Sequence, residues 1–283
     1  MIIVRLMGGL GNQMFQYAFA LPHILEGRSV KFDLSHYDIE GSGKFWLEEA
    51  FGISLVKAGK RDFFYFMEKV NRGKLGYRLK KGRFLHHETP EQEFTYHPDL
   101  ASRDCTYFAG YWQNINYFEK YNKQIRDHFK FREIKFLNRQ YQKLVKEIAN
   151  CNSVSIHIRR GDYLSSPIHE KIGIDYYNKA ITLITKHTLN PTYFIFSDDV
   201  EWTKRNINID RTHFYIDYDS EHKCYADMNL MSFCKHNIIA NSTFSWWAGY
   251  LNPNPNKIVV VPSKWFTNGL NINGMLPKSW AKI

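Results

Sequence analysis

The chain has 283 residues, 44% hydrophobic and 16% aromatic, with a formal net charge of +10. That length and apolar content exclude a disordered chain and leave room for one large domain or two modest ones. No apolar run approaches the ~20 residues that span a bilayer. The four cysteines, Cys105, Cys151, Cys224 and Cys234, form neither a CxxC pair nor a zinc-spaced cluster, which points to reduced thiols in a cytoplasmic protein.

Ile2 to Leu6 reads as a buried strand rather than a signal peptide, and runs into Met7-Gly8-Gly9-Leu10-Gly11-Asn12-Gln13. Met14, Phe15, Tyr17, Ala18, Leu21 and Leu25 then recur at helical spacing. Strand, glycine turn and helix start open an α/β unit whose backbone amides are available to an anion or a sugar. Gly9, Gly11, Asn12 and Gln13 are therefore candidate binding residues, although Met14 stands where a dinucleotide fingerprint has its third glycine. Ser29 to Leu34 predicts a second strand ending at Asp33.

From Lys57 to Arg83, ten basic residues are opposed only by Asp62 and Glu68, a local excess of +8. With Phe63, Phe64, Tyr65, Phe66 and Tyr77 interspersed, Arg61 to Arg83 reads as a basic aromatic helix. It either lies on an anionic membrane or turns a charged face to solvent. Tyr107 to Gln113 reads as a strand leaving through an aromatic loop, and Phe131 to Ile148 has helical spacing.

Beyond Ser153 the elements alternate: strands at 154–158, 192–196, 212–217, 237–240 and 257–261, and helices at 174–188, from about 200, at 225–234 and opening within 241–247. That order predicts a doubly wound parallel sheet, with a domain boundary near residue 150. Chemistry-bearing residues follow three of these strands. His157-Ile158-Arg159-Arg160-Gly161-Asp162 offers guanidinium groups that fit phosphate oxygens. Ser197-Asp198-Asp199 offers carboxylates for the N–H groups of a base or the hydroxyls of a ribose. Asn241-Ser242-Thr243-Phe244-Ser245-Trp246-Trp247 caps a helix whose start suits a phosphate. Ligands of open α/β sheets bind at such strand ends. The three stretches together describe a nucleotide-diphosphate site.

At these residues the sequence resembles a known family. His157-x-Arg159-Arg160-x-Asp162 is similar to the HxRRxD signature of GDP-fucose-dependent α1,2- and α1,6-fucosyltransferases. Gly8 to Ala18, Gly110 to Gln113, Phe196 to Asp199 and Asn241 to Trp247 look like the α1,2-fucosyltransferases of glycosyltransferase family 11. The likeness runs in order to about Leu251, and 38–93 matches no motif of the family.

The resemblance implies a GT-B fold of two Rossmann-like domains facing across a cleft. Residues 1–150 would form the acceptor side and 151–283 the GDP-fucose side. It implies inversion at the anomeric carbon, no cofactor and no metal; Asp217-Tyr218-Asp219 has DxD spacing but is redundant. Arg159, Arg160 and Asp162 are the implied catalytic group, with Arg159 as the diphosphate clamp. His157 and Asp198 would hold guanine, with Asp199 beside them, and Asn241, Ser242, Thr243 and Ser245 would line the phosphate side. No catalytic base is identified, although Asp33 and Asp38 stand in the amino-terminal half.

The expected reaction moves L-fucose from GDP-fucose to the 2-hydroxyl of a terminal galactose. The acceptor would be an oligosaccharide of a bacterial lipopolysaccharide or capsule, lipid-linked at the inner membrane if the basic segment meets an anionic surface. Transfer with α1,6-like linkage is the alternative. A nucleic-acid-binding protein is disfavoured, because the basic residues are confined to one segment and no zinc or RRM module accompanies them. A nicotinamide-dependent dehydrogenase is disfavoured by the missing third glycine.

Overall fold

A computed structural model describes residues 1–72, 74–89, 92, 94–132, 139–217 and 224–283, with the backbone alone for 68–72 and 74–78. The chain divides into two compact units: Met1–Arg132 with Asn271–Leu276, and Glu133–Leu270 with Pro277–Ile283.

The first unit runs β1 (Ile2–Arg5), α1 (Leu10–Leu25), β2 (Val30–Asp33), α2 (Leu47–Phe51), α3 (Lys60–Phe66), β3 (Met67–Arg72), β4 (Lys74–Leu79), β5 (Phe84–His87), α4 (Pro98–Ser102), β6 (Thr106–Ala109) and α5 (Asn122–His128). Its main sheet is parallel, in the order β2-β1-β6-β5. The order reverses between β1 and β6, so the segments that follow their carboxyl ends, Gly8–Gln13 at the turn into α1 and Gly110–Gln113, flank a topological switch point.

Buried amides hold both loops. Gln16, fully buried, accepts from Met7 N at 2.9 Å and donates to Gly110 O at 3.1 Å. Glu88 Oε2 accepts from Tyr111 N at 2.6 Å and Trp112 N at 2.9 Å. A Cβ on Gly110 would stand 2.5 Å from Glu88 Cβ, so only glycine lets the carboxylate come this close. Trp112 takes a left-handed φ of 56° within a buried aromatic cluster with Phe19, Phe108 and Tyr117. The burial of these rings outweighs a backbone cost of order 1–3 kcal/mol.

The basic aromatic helix expected over Arg61 to Arg83 is not formed. Helix α3 stops at Phe66, and β3 and β4 pair as an antiparallel hairpin. Gly73 and Gly76 in the sequence weigh against a helix by roughly 1 kcal/mol each. The side chains of Lys69, Arg72, Lys74 and Arg78 lie outside those described.

The second unit runs α6 (Arg139–Ala149), β7 (Asn152–Ile158), α7 (Ile174–His187), β8 (Pro191–Ser197), α8 (Val200–Asn206), β9 (His213–Ile216), α9 (Cys224–Phe233), β10 (His236–Ile238), α10 (Thr243–Leu251), β11 (Val259–Val261) and β12 (Ala281–Lys282). The division of the chain falls before α6, whereas the sequence places it near residue 150. Helix α6 packs on α9 and β7 of the second unit, its Tyr141 hydroxyl accepting from Asn229 at 2.9 Å. The stretch of the expected helix at 133–138 lies outside the described residues, as does Asp217-Tyr218-Asp219 beyond its first residue.

All six strands of the second sheet are parallel, in the order β12-β11-β10-β7-β8-β9. Its switch point lies between β7 and β10. Val154, Ile156 and Ile158 on one face of β7 pack in a core with Tyr177, Ala180 and Ile184 of α7; full burial stabilises each aliphatic by about 1.5–3 kcal/mol. The polar face of β7 is equally buried. Ser153, Ser155 and His157 are at most 7% exposed. The alternation of apolar and small polar residues along this strand thus serves two interiors, as parallel sheets covered on both faces require.

A chain of side-chain amides satisfies that interior. Asn237 donates to Ser155 Oγ and to Met231 O, both at 2.8 Å. Asn252 donates to Asn237 Oδ1 and to Cys234 O, both at 2.7 Å. These bonds tie β7 and β10, the strands flanking the switch point, to α9 and α10. Asn252→Ala leaves two buried acceptors without these donors and is expected to lower unfolding stability by about 1–3 kcal/mol, read as a lower urea midpoint at unchanged slope. A change within about 0.5 kcal/mol would contradict the account.

Candidate functional site

Strand β7 delivers His157 and Arg159 to the switch point, and β10 delivers Asn241 and the start of α10. The Arg159 guanidinium lies between two carboxylates: Nη1 is 3.0 Å from Asp198 Oδ2, and Nη2 donates to Asp162 Oδ1 at 2.7 Å. Asp198 is fixed in turn, since its Oδ1 accepts from Arg160 N at 2.8 Å. A Cβ on Gly161 would stand 2.6 Å from Asp198 Oδ2, so the glycine makes room for this carboxylate.

Arg160 faces a different set of groups. Its guanidinium carbon sits 3.5 Å over the Trp202 ring, and Nε donates to Asp199 Oδ2 at 3.2 Å. Asp199 also caps α8, accepting from Trp202 N at 3.0 Å. Arg160 thus braces the loop through its side chain and Asp198 through its backbone. Arg159 is the cation presented at the strand end.

Ser242 caps α10, its Oγ accepting from Phe244 N at 3.3 Å. Tyr163, in the loop after β7, lies against Arg159, whose guanidinium carbon is 5.5 Å from the centre of its ring. Its ring stacks on His169 at 4.0 Å, and burial pushes its hydroxyl up to about 12. With Arg159 on one side and the amino end of α10 on the other, the switch point combines a guanidinium with a helix dipole that favours anions.

The fold brings His157, Arg159, Arg160, Asp162, Asp198, Asp199, Asn241, Ser242, Thr243 and Ser245 to the carboxyl ends of β7, β8 and β10. They do not all face the same way. Ser245 is fully buried and donates to Ser242 O at 3.4 Å. Asn241 donates to Glu170 O at 2.9 Å and Trp265 O at 3.0 Å, pinning two neighbouring loops, while its buried Oδ1 meets no partner among the described residues. Trp246 and Trp247 are core. Gly9, Gly11, Asn12 and Gln13 belong to the first unit, at its own switch point. The buried Gln13 amide bonds Gly8 O, Lys44 O and Trp46 N, which makes it a loop brace. Asp33 is likewise occupied, accepting from Ser35 N and from the Tyr107 hydroxyl.

Tyr163, Trp202 and Gly161 gain roles that sequence reading did not assign. The aromatics adjoin the motif or lie three residues past Asp199, but only the folded loops put them against an arginine.

His157 is buried beside Phe244, with Nδ1 unpartnered among the described residues. Desolvation, then the charge of Arg159, pushes it down to about 3. It is therefore neutral at physiological pH, with an aimed ring nitrogen. The unfolded chain binds this proton near pH 6.5 and the folded chain does not until about 3. Its share of stability is whole above pH 6.5 and falls as pH drops, by about 1.4 kcal/mol per unit. Between pH 7 and pH 5 the wild type is expected to lose about 2 kcal/mol that His157→Gln does not lose, in urea unfolding at both pH values. An equal acid loss in the variant would contradict the assignment.

The sequence pattern of glycosyl transferase family 11 matches residues 78–280. The O-antigen biosynthesis glycosyltransferase WbnK of Escherichia coli is 35% identical over 98% of this chain and 99% of its own length. An alpha-1,2-colitosyltransferase of Escherichia coli is 32% identical over 100% of this chain and 98% of its own. Among solved structures, NodZ alpha-1,6-fucosyltransferase soaked with GDP-fucose superposes with a TM-score of 0.50 at 16% identity, covering 90% of this chain and 96% of that one. That likeness speaks to the fold, which is of the GT-B-like α/β class. The chain belongs to glycosyl transferase family 11.

Proposed function

We propose that this glycosyltransferase moves L-fucose from GDP-fucose to the 2-hydroxyl of a terminal galactose, with inversion. The observation that carries the reading is Arg159, held at the switch point beside the amino end of α10 within the α1,2-transferring family. The acceptor oxygen attacks the anomeric carbon as the bond from that carbon to the β-phosphate oxygen breaks; GDP leaves with the electron pair, and the acceptor's hydroxyl proton passes to water. Negative charge grows on the departing diphosphate, so a fixed guanidinium and helix start act most strongly in the transition state. In this reading they do the work that a metal ion does elsewhere. His157 and Asp198 meet the guanine, and Ser242 and Thr243 the phosphate side. The first unit takes the acceptor, with Gly9, Gly11 and Asn12 at its own switch point.

A second reading concerns the sugar alone. The alpha-1,2-colitosyltransferase relative favours transfer of colitose, which lacks the 3-hydroxyl of fucose, by the same chemistry. GDP release from GDP-fucose and from GDP-colitose, each with and without lactose, tests both. Galactoside-dependent release with fucose on the 2-hydroxyl supports the first, the same result with colitose alone supports the second, and no galactoside-dependent release from either donor contradicts both. Arg159→Ala is expected to cut turnover about 10²–10³-fold, by analogy with loss of an oxyanion donor, while circular dichroism stays unchanged. Turnover near wild type would remove this arginine from the mechanism.

We read the site of action as the cytoplasmic surface of the inner membrane, on a lipid-linked glycan of the O-antigen kind. No described helix is long and apolar enough to cross a membrane. Phe64, Phe84 and Leu85 stand exposed near Lys80, Lys81 and Arg83, a combination that suits an anionic interface. The protein is expected to sediment with liposomes rich in anionic lipid and to be released by salt. Failure to sediment at low salt would sink the membrane reading.

A further inference from the structure

We propose that Asp162 is a placeholder anion: it holds the edge of Arg159 that a diphosphate takes, and donor binding exchanges one for the other. The proposal rests on the second unit being a nucleoside-diphosphate site.

The two carboxylates on Arg159 are unlike. Asp198 has a side chain 24% exposed, and its other oxygen is bonded to Arg160 N, so it moves with the loop. Asp162 is 69% exposed and sits on the short 3₁₀ turn Asp162–Leu164, with its Oδ1 on Arg159 Nη2. The first geometry orients a guanidinium. The second neutralises it for as long as nothing better arrives, since exposed ion pairs contribute little. A diphosphate reaching Nη2 brings more negative charge and several acceptor oxygens to the same fork, and a carboxylate beside it is repelled. Asp162 then acts through Arg159 and not on the reacting atoms, as a positioning residue that sets donor affinity.

The two carboxylates consequently have opposite effects on binding. Calorimetric titration of the full chain with GDP compares wild type, Asp162→Asn, Asp162→Ala and Asp198→Asn, with melting curves to check folding. Both Asp162 variants are expected to bind GDP about two- to sixfold more tightly, the gain from removing an exposed competitor. The KM for the sugar nucleotide is expected to fall in step. Asp198→Asn weakens both the orienting contact and the proposed contact to guanine and is expected to bind GDP more weakly, so that a gain confined to the Asp162 variants is not a general effect of lost negative charge. If wild type binds no GDP, the nucleotide-diphosphate reading falls and the exchange with it. If wild type binds GDP and the Asp162 variants bind it equally or more weakly, the exchange alone falls.

Discussion

The bond from Asn237 to Ser155 Oγ, at 2.8 Å, closes the polar interior beneath the second sheet. Burial of a strand on both faces is favourable only where each polar group on it finds a partner. In β7 the aliphatic residues face α7, Ser155 accepts from the Asn237 amide of β10, Ser153 accepts from Lys235 N, and Asn252 beyond α10 holds Asn237 in turn. This constraint fixes the two strands whose carboxyl ends frame the switch point. A shift of either strand by one residue would exchange the two faces and leave both interiors wrong. Arg159 is therefore delivered by a strand that has one tolerable register.

The electrostatics at the strand end follow from the same rigidity. Two adjacent arginines would repel and wander if left to solvent. Here one is stacked on Trp202 and bonded to Asp199, while its backbone holds the carboxylate that aims the other. His157, two residues earlier, lies too deep to hold a proton against the nearby guanidinium. The result is a neutral ring and a single aimed cation, flanked by a helix start. In the proposed reaction such a preorganised arrangement would stabilise developing charge without reorganising.

Much of this was legible in the sequence because glycines, arginines and capping residues cluster directly after apolar strands, where open sheets bind ligands. The alternation of strands and helices beyond residue 153, the doubly wound sheet they form and the placing of His157, Arg159, Asp198 and Ser242 at strand ends follow from that pattern. Orientation was less legible. Gln13, Asn241 and Ser245 sit within motifs yet point into the protein, and spacing alone does not say which way a loop side chain faces. The alternation in β7 reads equally as a solvated face or a buried amide network. The hairpin Met67–Leu79 was hidden by aromatic and basic residues that suit either structure, and β5 carries too few residues for a period to emerge. Helix α6 changed sides of the boundary because its partners, β7 and α9, come later in the chain.

The account stands on a diphosphate held at the switch point between β7 and β10. A crystal structure of the protein with GDP tests this most directly. The account predicts phosphate oxygens within hydrogen-bond distance of the Arg159 guanidinium and of backbone amides at the start of α10, with the base beside His157. A diphosphate seated on the Gly8–Gln13 loop of the first unit, or away from Arg159 altogether, would contradict it.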